Sequence, residues 1–358
     1  MPDTLQRTPL FDRHVALGGR IVPFAGFEMP VQYAGVIDEV RAVRTAAGIF
    51  DVSHMGQLIV GGEGAHAFLQ AALSNDLDRI EPGGAQYTLL PNESGGIVDD
   101  LIAYRRADGM YMLVVNASNI AADLAHLEAQ LPGSATLRDG SHDHAMIALQ
   151  GPDAGRVLEQ LGAPLPAPFT WVRQKLAIGT CTLAGTGYTG EPGCELICEP
   201  DLTGPLWDAL IEAGATPCGL GARDALRLEV CYPLHGNDIT PETDAIEAGL
   251  GWVCALAKDF TGAEALRRTK ERGPARKLVA LRALAPRSIP RAGCELFVGD
   301  EAVGTVTSGT FSPTLELGIG LGYVDAAHAT PGTRIDVDVR GRRQPAEIAT
   351  KPLYRKEQ

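Results

Sequence analysis

Two adjacent carboxylates, Asp99 and Asp100, lie in the run GGIVDDLIAYR (95–105), which otherwise has the pattern of a buried strand. Side chains alternate faces along a strand, so the two acids must point opposite ways. Asp100 shares its face with Val98, Ile102 and Tyr104, and Asp99 shares the other with Ile97, Leu101 and Ala103. Neither face is polar, so at least one carboxyl is expected to meet an apolar environment. Isolated burial of a carboxylate is costly and raises its pKa, which makes a proton-handling group near neutral pH. The plainer alternative is a strand-end acid that accepts hydrogen bonds from the neighbouring turn.

A second constellation is GTGYTGEPGCEL, 185–196, with four glycines and one proline in a dozen residues. Such a loop turns sharply and lets its backbone approach a flat ligand. Tyr188 and Glu195 are its large hydrogen-bonding groups besides Glu191, and a carboxylate suits the paired N–H donors of an aminopyrimidinone edge. An ordinary hairpin with an exposed acid fits the same residues. A third is GLGARDALRLE, 219–229, which leads into a helix with Arg223 and Arg227 four apart. Two guanidiniums on one helical face could hold a carboxylate-bearing tail, or could pair internally with Asp224 or Glu229. Asn116, ending the strand-like MLVVN, could orient a ligand or simply cap a turn. His54, in DVSHM, reads as a structural hydrogen bonder. GIGLGYV (318–324) lacks the third glycine of a dinucleotide fingerprint and reads as a strand; no P-loop, HExxH or GxSxG is present.

The elements that must position these groups are many short strands joined by Gly- and Pro-rich turns. Tyr87–Leu90 and Ile97–Tyr104, joined by Asn92-Glu93-Ser94-Gly95-Gly96, form a hairpin. Helical spacing appears at Ile37–Ala47 with Gly48 as its C′ residue, at Ala65–Leu73, at Ser118–Leu131 with Ser118 as N-cap, at Leu206–Ala213 and at Ala222–Cys231. Further strands are expected at Gln57–Val60, Met110–Val115, His144–Leu149, Lys175–Ala184 and Glu195–Glu199. The order over 45–130 suggests an α+β unit of ferredoxin-like type. The charged helical stretch 258–275 ends in Gly-Pro and marks the best boundary. Beyond it, 277–354 is nearly all strand and turn, so a small β-barrel or sandwich is expected.

The 358 residues are too many for one ordinary core, and 45% hydrophobic with 21% charged residues makes a globular chain of two or three domains. Seven cysteines, odd in number and without CxxC, read as reduced buried thiols, with no metal expected. A formal charge of −13 argues against nucleic acid and anionic membranes as partners. No apolar run is long enough to span a bilayer, and MPDTLQRTPLFDRH resembles neither a signal nor a transit peptide, so a cytoplasmic location is expected.

Taken together, these residues resemble the aminomethyltransferase, or T-protein, family of the glycine cleavage system. The likeness rests on TPLFDRH (8–14), GIFDVSHM (48–55), GGIVDDL (95–101), VVNAS (114–118), ALQGP (148–152), GYTGEPGCE (187–195), GLGARDALRLE (219–229), HGNDI (235–239) and TSGTFSPTL (307–315), in order along essentially the whole chain. It implies three α+β and β-rich domains around a central folate cavity: 1–50 with 140–258, a ferredoxin-like 51–139, and a C-terminal barrel over 275–358. It also implies transfer of an aminomethyl group from the dihydrolipoyl arm of the H-protein to tetrahydrofolate, with release of ammonia and without a metal. Matched position by position, Asp100 corresponds to the family's catalytic aspartate and Glu195 to its pterin-edge carboxylate. Tyr188, Asn116, Arg223, Tyr104, Met55 and Tyr87 correspond to folate-pocket positions, and Tyr354 and Arg355 to the tail that closes the pocket.

Two rivals share the fold. A folate-binding iron–sulfur assembly factor would need a KGCYxGQE-like signature, and Lys258–Glu264 has no cysteine. A folate-dependent demethylase of a small sulfonium or methylamine remains the alternative. A non-enzymatic interaction protein would make poor use of a buried acid pair.

Overall fold

The acid pair lies in a strand because its neighbours are β-branched, aromatic and alternating, and because a strong turn precedes it. In a computed structural model, which describes residues 5–286 and 288–356, that strand is Ile97–Arg105 and its hairpin partner is Ala85–Pro91. Asn92 organises the turn: its side-chain oxygen accepts from the backbone N–H of Ser94 (3.0 Å) and of Gly96 (2.9 Å). Gly95 takes a left-handed φ of +83°, which a side chain would strain. Residues 1–4 of the N-terminal stretch and the last two of KPLYRKEQ lie outside the described residues.

Two compact units divide the chain: residues 1–88 with 100–223, and residues 89–99 with 224–358. The first carries a five-stranded sheet in the order Ala85–Pro91, Ile97–Arg105, Tyr111–Val115, Gly56–Gly61, Thr136–Asp139, whose first two strands run across the division. It also carries a six-stranded sheet in the order Trp171–Leu176, Gly179–Ala184, Gly193–Cys198, Ala145–Gln150, Gly48–Asp51, Thr216–Pro217, antiparallel except at the last pairing. Helices Ala154–Gln160 and Pro200–Glu212 pack Val157, Leu158, Leu206, Trp207 and Leu210 against the apolar Ile49, Ile147, Leu149 and Leu196 of this sheet. A two-stranded hairpin, Arg20–Phe24 with Phe27–Gln32, completes the unit.

The second unit closes six strands, Arg276–Ala283, Leu317–Asp325, Glu301–Ser312, Glu295–Val298, Arg334–Asp338 and Arg343–Ala349, into a barrel. Val279, Leu281, Leu296, Val306, Val337 and Ile348 fill it. The barrel expected from the turn-rich C-terminus is thus present, GIGLGYV is one of its strands, and the α+β class holds.

Several local expectations need correction. The helix Val36–Thr45 stops before Gly48, which instead opens a strand where an added Cβ would lie 2.4 Å from Val43 Cγ2. Ser118 does not cap: it sits in the 3-10 turn Ala117–Asn119, and the helix behind it is Ile120–Glu128. Lys175–Ala184 is two strands with a turn between them, Trp171–Leu176 and Gly179–Ala184. The helix foreseen at Leu206–Ala213 begins at Pro200, because a proline at the first position lacks only an N–H that would be unpaired there anyway.

Candidate active site

Alternation along Ile97–Arg105 separates the two acids as anticipated. Asp99 is fully buried, whereas Asp100 is half-buried, on the face that it shares with half-buried Val98 and Ile102. Asp100, rather than its neighbour, therefore offers an oxygen-rich surface to a ligand. Pairing of Ile102 with Val114 carries Asn116 to the position across from Asp100. Asn116 Nδ2 donates to Asp100 Oδ1 at 3.0 Å and to its backbone oxygen at 3.1 Å. From the other neighbouring strand, Tyr87 donates its hydroxyl to Asp100 Oδ2 at 2.9 Å. Both oxygens are held by neutral donors, so the carboxylate is oriented without being neutralised.

Four residues along the same strand stands Tyr104, about 13 Å on at ~3.3 Å per residue. Its hydroxyl is 2.9 Å from Thr186 Oγ1 and 3.4 Å from Glu195 Oε2, and Thr186 donates to the same carboxylate oxygen at 2.5 Å. Burial pushes the Tyr104 phenol well above its ordinary pKa, and the charge of Glu195 adds to this, so Tyr104 remains a donor. Oε2 of Glu195 is thereby occupied. Oε1 accepts from none of the described residues and is the half that can receive a ligand's donor.

The glycine loop that carries Tyr188 is held from behind. An added Cβ at Gly187 would lie 2.2 Å from Gln150 Oε1, so the loop can approach that side chain only as glycine. Gln150 Oε1 accepts from Thr189 Oγ1 at 2.8 Å, and Arg44 reaches the Thr189 carbonyl at 2.7 Å and Glu191 at 3.0 Å. Glu191 is therefore used internally. Tyr188 lies under the Arg223 guanidinium, 4.7 Å from ring centroid to Cζ. Burial lowers the pKa of Arg223, opposed by Tyr188 and Glu195, and its guanidinium makes no hydrogen bond or ion pair with the described residues. Arg227 behaves differently. It is buried, donating to Asp238 at 2.6 Å, to Asp224 and to Ser308 Oγ, so the paired-guanidinium idea fails: one arginine is structural.

His54 and Met55 lie in the turn between strands Gly48–Asp51 and Gly56–Gly61, with Met55 half-buried. His54 is not the hydrogen bonder expected. Its ring packs on Phe24 (centroids 5.6 Å apart) and Phe27 (6.2 Å), its Nδ1 has no partner among the described residues, and burial lowers its pKa to about 4. Tyr354 and Arg355 lie in the second unit; the Tyr354 amide donates to the Glu229 carbonyl at 2.8 Å, and Arg355 is exposed. A cleft of about 540 Å³ in that unit, lined by Arg282, Glu347, Leu315, Leu317 and Leu353 among others, contains none of the anticipated residues.

Sequence reasoning missed two contributors. Thr186 is the hub between Tyr104 and Glu195, and the glycines on either side of it were its only signal. A buried chain also runs from Tyr33 Oη to His14 Nδ1 (2.8 Å), from His14 Nε2 to Asp51 (2.9 Å), and from Thr8 Oγ1 to Asp51 (2.6 Å). The Ser53 amide donates to Asp51 Oδ1 at 2.9 Å, which fixes the turn bearing His54 and Met55. An aspartate inside the apolar run GIFD was the available clue.

Among the described residues, no group of three or more His, Cys, Asp or Glu is placed to hold a metal ion, and no helix is long and apolar enough to cross a membrane. Residues 10–258 match the family model of the GCVT N-terminal domain, and residues 276–355 match that of the glycine cleavage T-protein C-terminal barrel domain. The chain belongs to the glycine cleavage T-protein family. Within this family it is 46% identical to an aminomethyltransferase of Geobacillus kaustophilus (98% of this chain, 99% of the relative) and 44% identical to one of Symbiobacterium thermophilum (99% of each). The crystal structure of glycine cleavage system aminomethyltransferase T from Bartonella henselae superposes with a TM-score of 0.92 at 35% identity, over 98% of both chains. This T-protein family member is an enzyme, an aminomethyltransferase, and the relatives favour that activity over the demethylase alternative.

Proposed function

We propose that the enzyme transfers the aminomethyl group of an S-aminomethyldihydrolipoyl H-protein to tetrahydrofolate, giving 5,10-methylenetetrahydrofolate, ammonia and the dihydrolipoyl H-protein. The observation that carries this reading is the Asp100 carboxylate, oriented by Tyr87 and Asn116 on the half-open face of a strand whose next turn of pleat leads to Tyr104 and Glu195. The residues fit a reduced pterin. The uncommitted oxygen of Glu195 suits paired N–H donors, and the Tyr188 ring stacked under Arg223 suits an aromatic spacer followed by a carboxylate.

In this reading Asp100 does the proton work. Its carboxylate stabilises positive charge that develops at the aminomethyl carbon as the amine leaves, and takes the proton from the attacking nitrogen. Tyr87 and Asn116 keep it aimed. Glu195, with Tyr104 and Thr186 behind it, fixes the ring system, and Arg223 neutralises the anionic end that a chain of charge −13 would otherwise repel. Met55 completes the pocket on its own side. Holding both reactants in one site makes the encounter effectively intramolecular.

The same proposal includes the domain division 1–50 with 140–258, 51–139 and 275–358, and a cytoplasmic location in keeping with the bacterial relatives. The test is a coupled assay with aminomethylated H-protein and tetrahydrofolate, measuring ammonia and methylenetetrahydrofolate. Turnover of a sulfonium or methylamine substrate without aminomethyl transfer would overturn the reading.

A further inference from the structure

HGNDI (235–239) takes no part in the proposed chemistry, yet it touches the start of the strand that carries the acid pair. His235 Nε2 lies 3.1 Å from the Ile97 carbonyl oxygen, and because a carbonyl only accepts, the ring donates there. The Ile97 amide is held from the same loop, donating to the carbonyls of Thr240 (3.1 Å) and Thr243 (3.2 Å). Asn92, in the turn, donates through Nδ2 to the Pro241 carbonyl at 2.9 Å, and an added Cβ at Gly96 would collide with that same oxygen. Residues 235–243 thus grip the hairpin at its turn and at both backbone groups of Ile97. The loop is itself anchored. Asp238 Oδ2 accepts from the Leu234 amide at 2.9 Å and from Arg227 at 2.6 Å. Tyr323, on the barrel strand Leu317–Asp325, donates its hydroxyl to the Asp238 carbonyl at 2.9 Å. The hairpin has little stiffness of its own here, because Gly95 and Gly96 directly precede Ile97 and glycine restrains the backbone least. In the register that pairs Ile102 with Val114, the neighbouring strand Tyr111–Val115 ends before it reaches Ile97.

We infer that His235 is a positioning residue for the transfer reaction: its hydrogen bond to Ile97, made from a barrel-anchored loop, fixes the start of the strand that presents Asp100. This rests on the proposed function, in which Asp100 does the proton work. Asp100 stands three residues beyond Ile97, about 10 Å along the strand at ~3.3 Å per residue, so play at the strand's start moves its carboxylate. Tyr87 and Asn116 aim that carboxylate, whereas His235 holds the backbone from which it is aimed. A displacement of about 1 Å is enough to cost rate, while folate binding through Glu195 stays as it is.

The experiment measures kcat for aminomethyl transfer, KM for tetrahydrofolate, and amide hydrogen exchange across residues 92–101 in His235→Leu and His235→Gln. Leucine removes the donor, and the glutamine side-chain amide restores one at similar reach. In His235→Leu, kcat is expected to fall about tenfold with KM within about twofold, and exchange at 92–101 to quicken about tenfold. His235→Gln should return both kcat and exchange to within about threefold of the unaltered enzyme. Unchanged kcat in His235→Leu overturns the proposal. So does a loss that His235→Gln shares in full, since ring shape rather than donation would then be at work. A fall in kcat matched by a rise in KM also overturns it, assigning His235 to binding or to general integrity. If His235→Leu fails to fold, His235→Asn decides: its amide is too short to reach Ile97, and activity equal to that of His235→Gln overturns the proposal. Inactivity of the unaltered enzyme in transfer would sink the functional reading instead. The exchange comparison would then decide the positioning role alone, with unchanged exchange in His235→Leu overturning it.

Discussion

Asn116 grips Asp100 twice, at the carboxylate and at the backbone carbonyl, from the position across the ladder where its strand ends. The contact therefore fixes both the side chain and the strand that presents it. Asp100→Asn keeps the shape and removes the charge. Transfer is expected to fall by about 10²–10⁴-fold, the range general acid–base catalysis supplies, with folate affinity nearly unchanged. Asn116→Ala leaves the carboxylate present but loosely aimed, and a smaller loss of about tenfold in kcat is expected. Ammonia release and a folate titration on each variant check both.

Glu195 makes a different prediction, because it binds rather than reacts. Glu195→Gln removes a charge-assisted acceptor, a loss of about 1.5–3 kcal/mol, so KM for tetrahydrofolate should rise by about 10–100-fold with a lesser change in kcat. Tyr104→Phe removes the hydroxyl behind that carboxylate and should move KM in the same direction by less. A kcat loss without a KM change in Glu195→Gln would place this acid in the chemistry instead.

The carboxylate strand, its hairpin, the C-terminal barrel and the glycine loop were all legible in the sequence, because each has a local cause in alternation, turn residues or glycine spacing. What was not legible came from long-range contacts. Nothing local in DVSHM says that His54 packs against Phe24 and Phe27, thirty and twenty-seven residues earlier, or that Asp51 is satisfied by His14 and Thr8. Arg223 and Arg227 look alike on a helix, yet Asp238, Ser308 and Asp224 consume only the second. Gly48 was read as a helix stop, but tertiary crowding by Val43 and Cys218 explains it.

Arg227 is expected to matter for stability. Its guanidinium holds Asp238, Asp224, Ser308 Oγ and the Tyr232 carbonyl (3.0 Å) in one buried fork. Arg227→Met leaves the buried Asp238 carboxylate without its cation, which typically costs about 3–5 kcal/mol. Arg227→Lys should recover only part of that, since an ammonium cannot span the planar fork. Denaturant midpoints for the two variants test the order.

Two buried groups set separate acid limits on stability. His54 is held down to about 4, first by burial and then by the positive charge of Arg223, with Asp51 opposing. An unfolded histidine titrates near 6.5, so the unfolded chain takes up this proton first. The contribution of His54 is therefore complete above about pH 6.5 and is lost as pH falls toward 4, by about 3 kcal/mol at most. For Asp51, burial pushes the pKa up, but hydrogen bonds from His14, Thr8 and Ser53 and the charge of His14 outweigh it, and the group ends below its ordinary value. Its contribution persists above the unfolded value near 4 and disappears as pH drops through the lower folded one. Unfolding free energies at pH 7.5, 5 and 3.5 should thus decline in two stages. His54→Gln should remove the first stage and leave the second, whereas Asp51→Asn should be less stable at every pH and lack the second. A His54→Gln protein that lost stability between pH 7.5 and 5 as steeply as the unaltered chain would place that titration elsewhere.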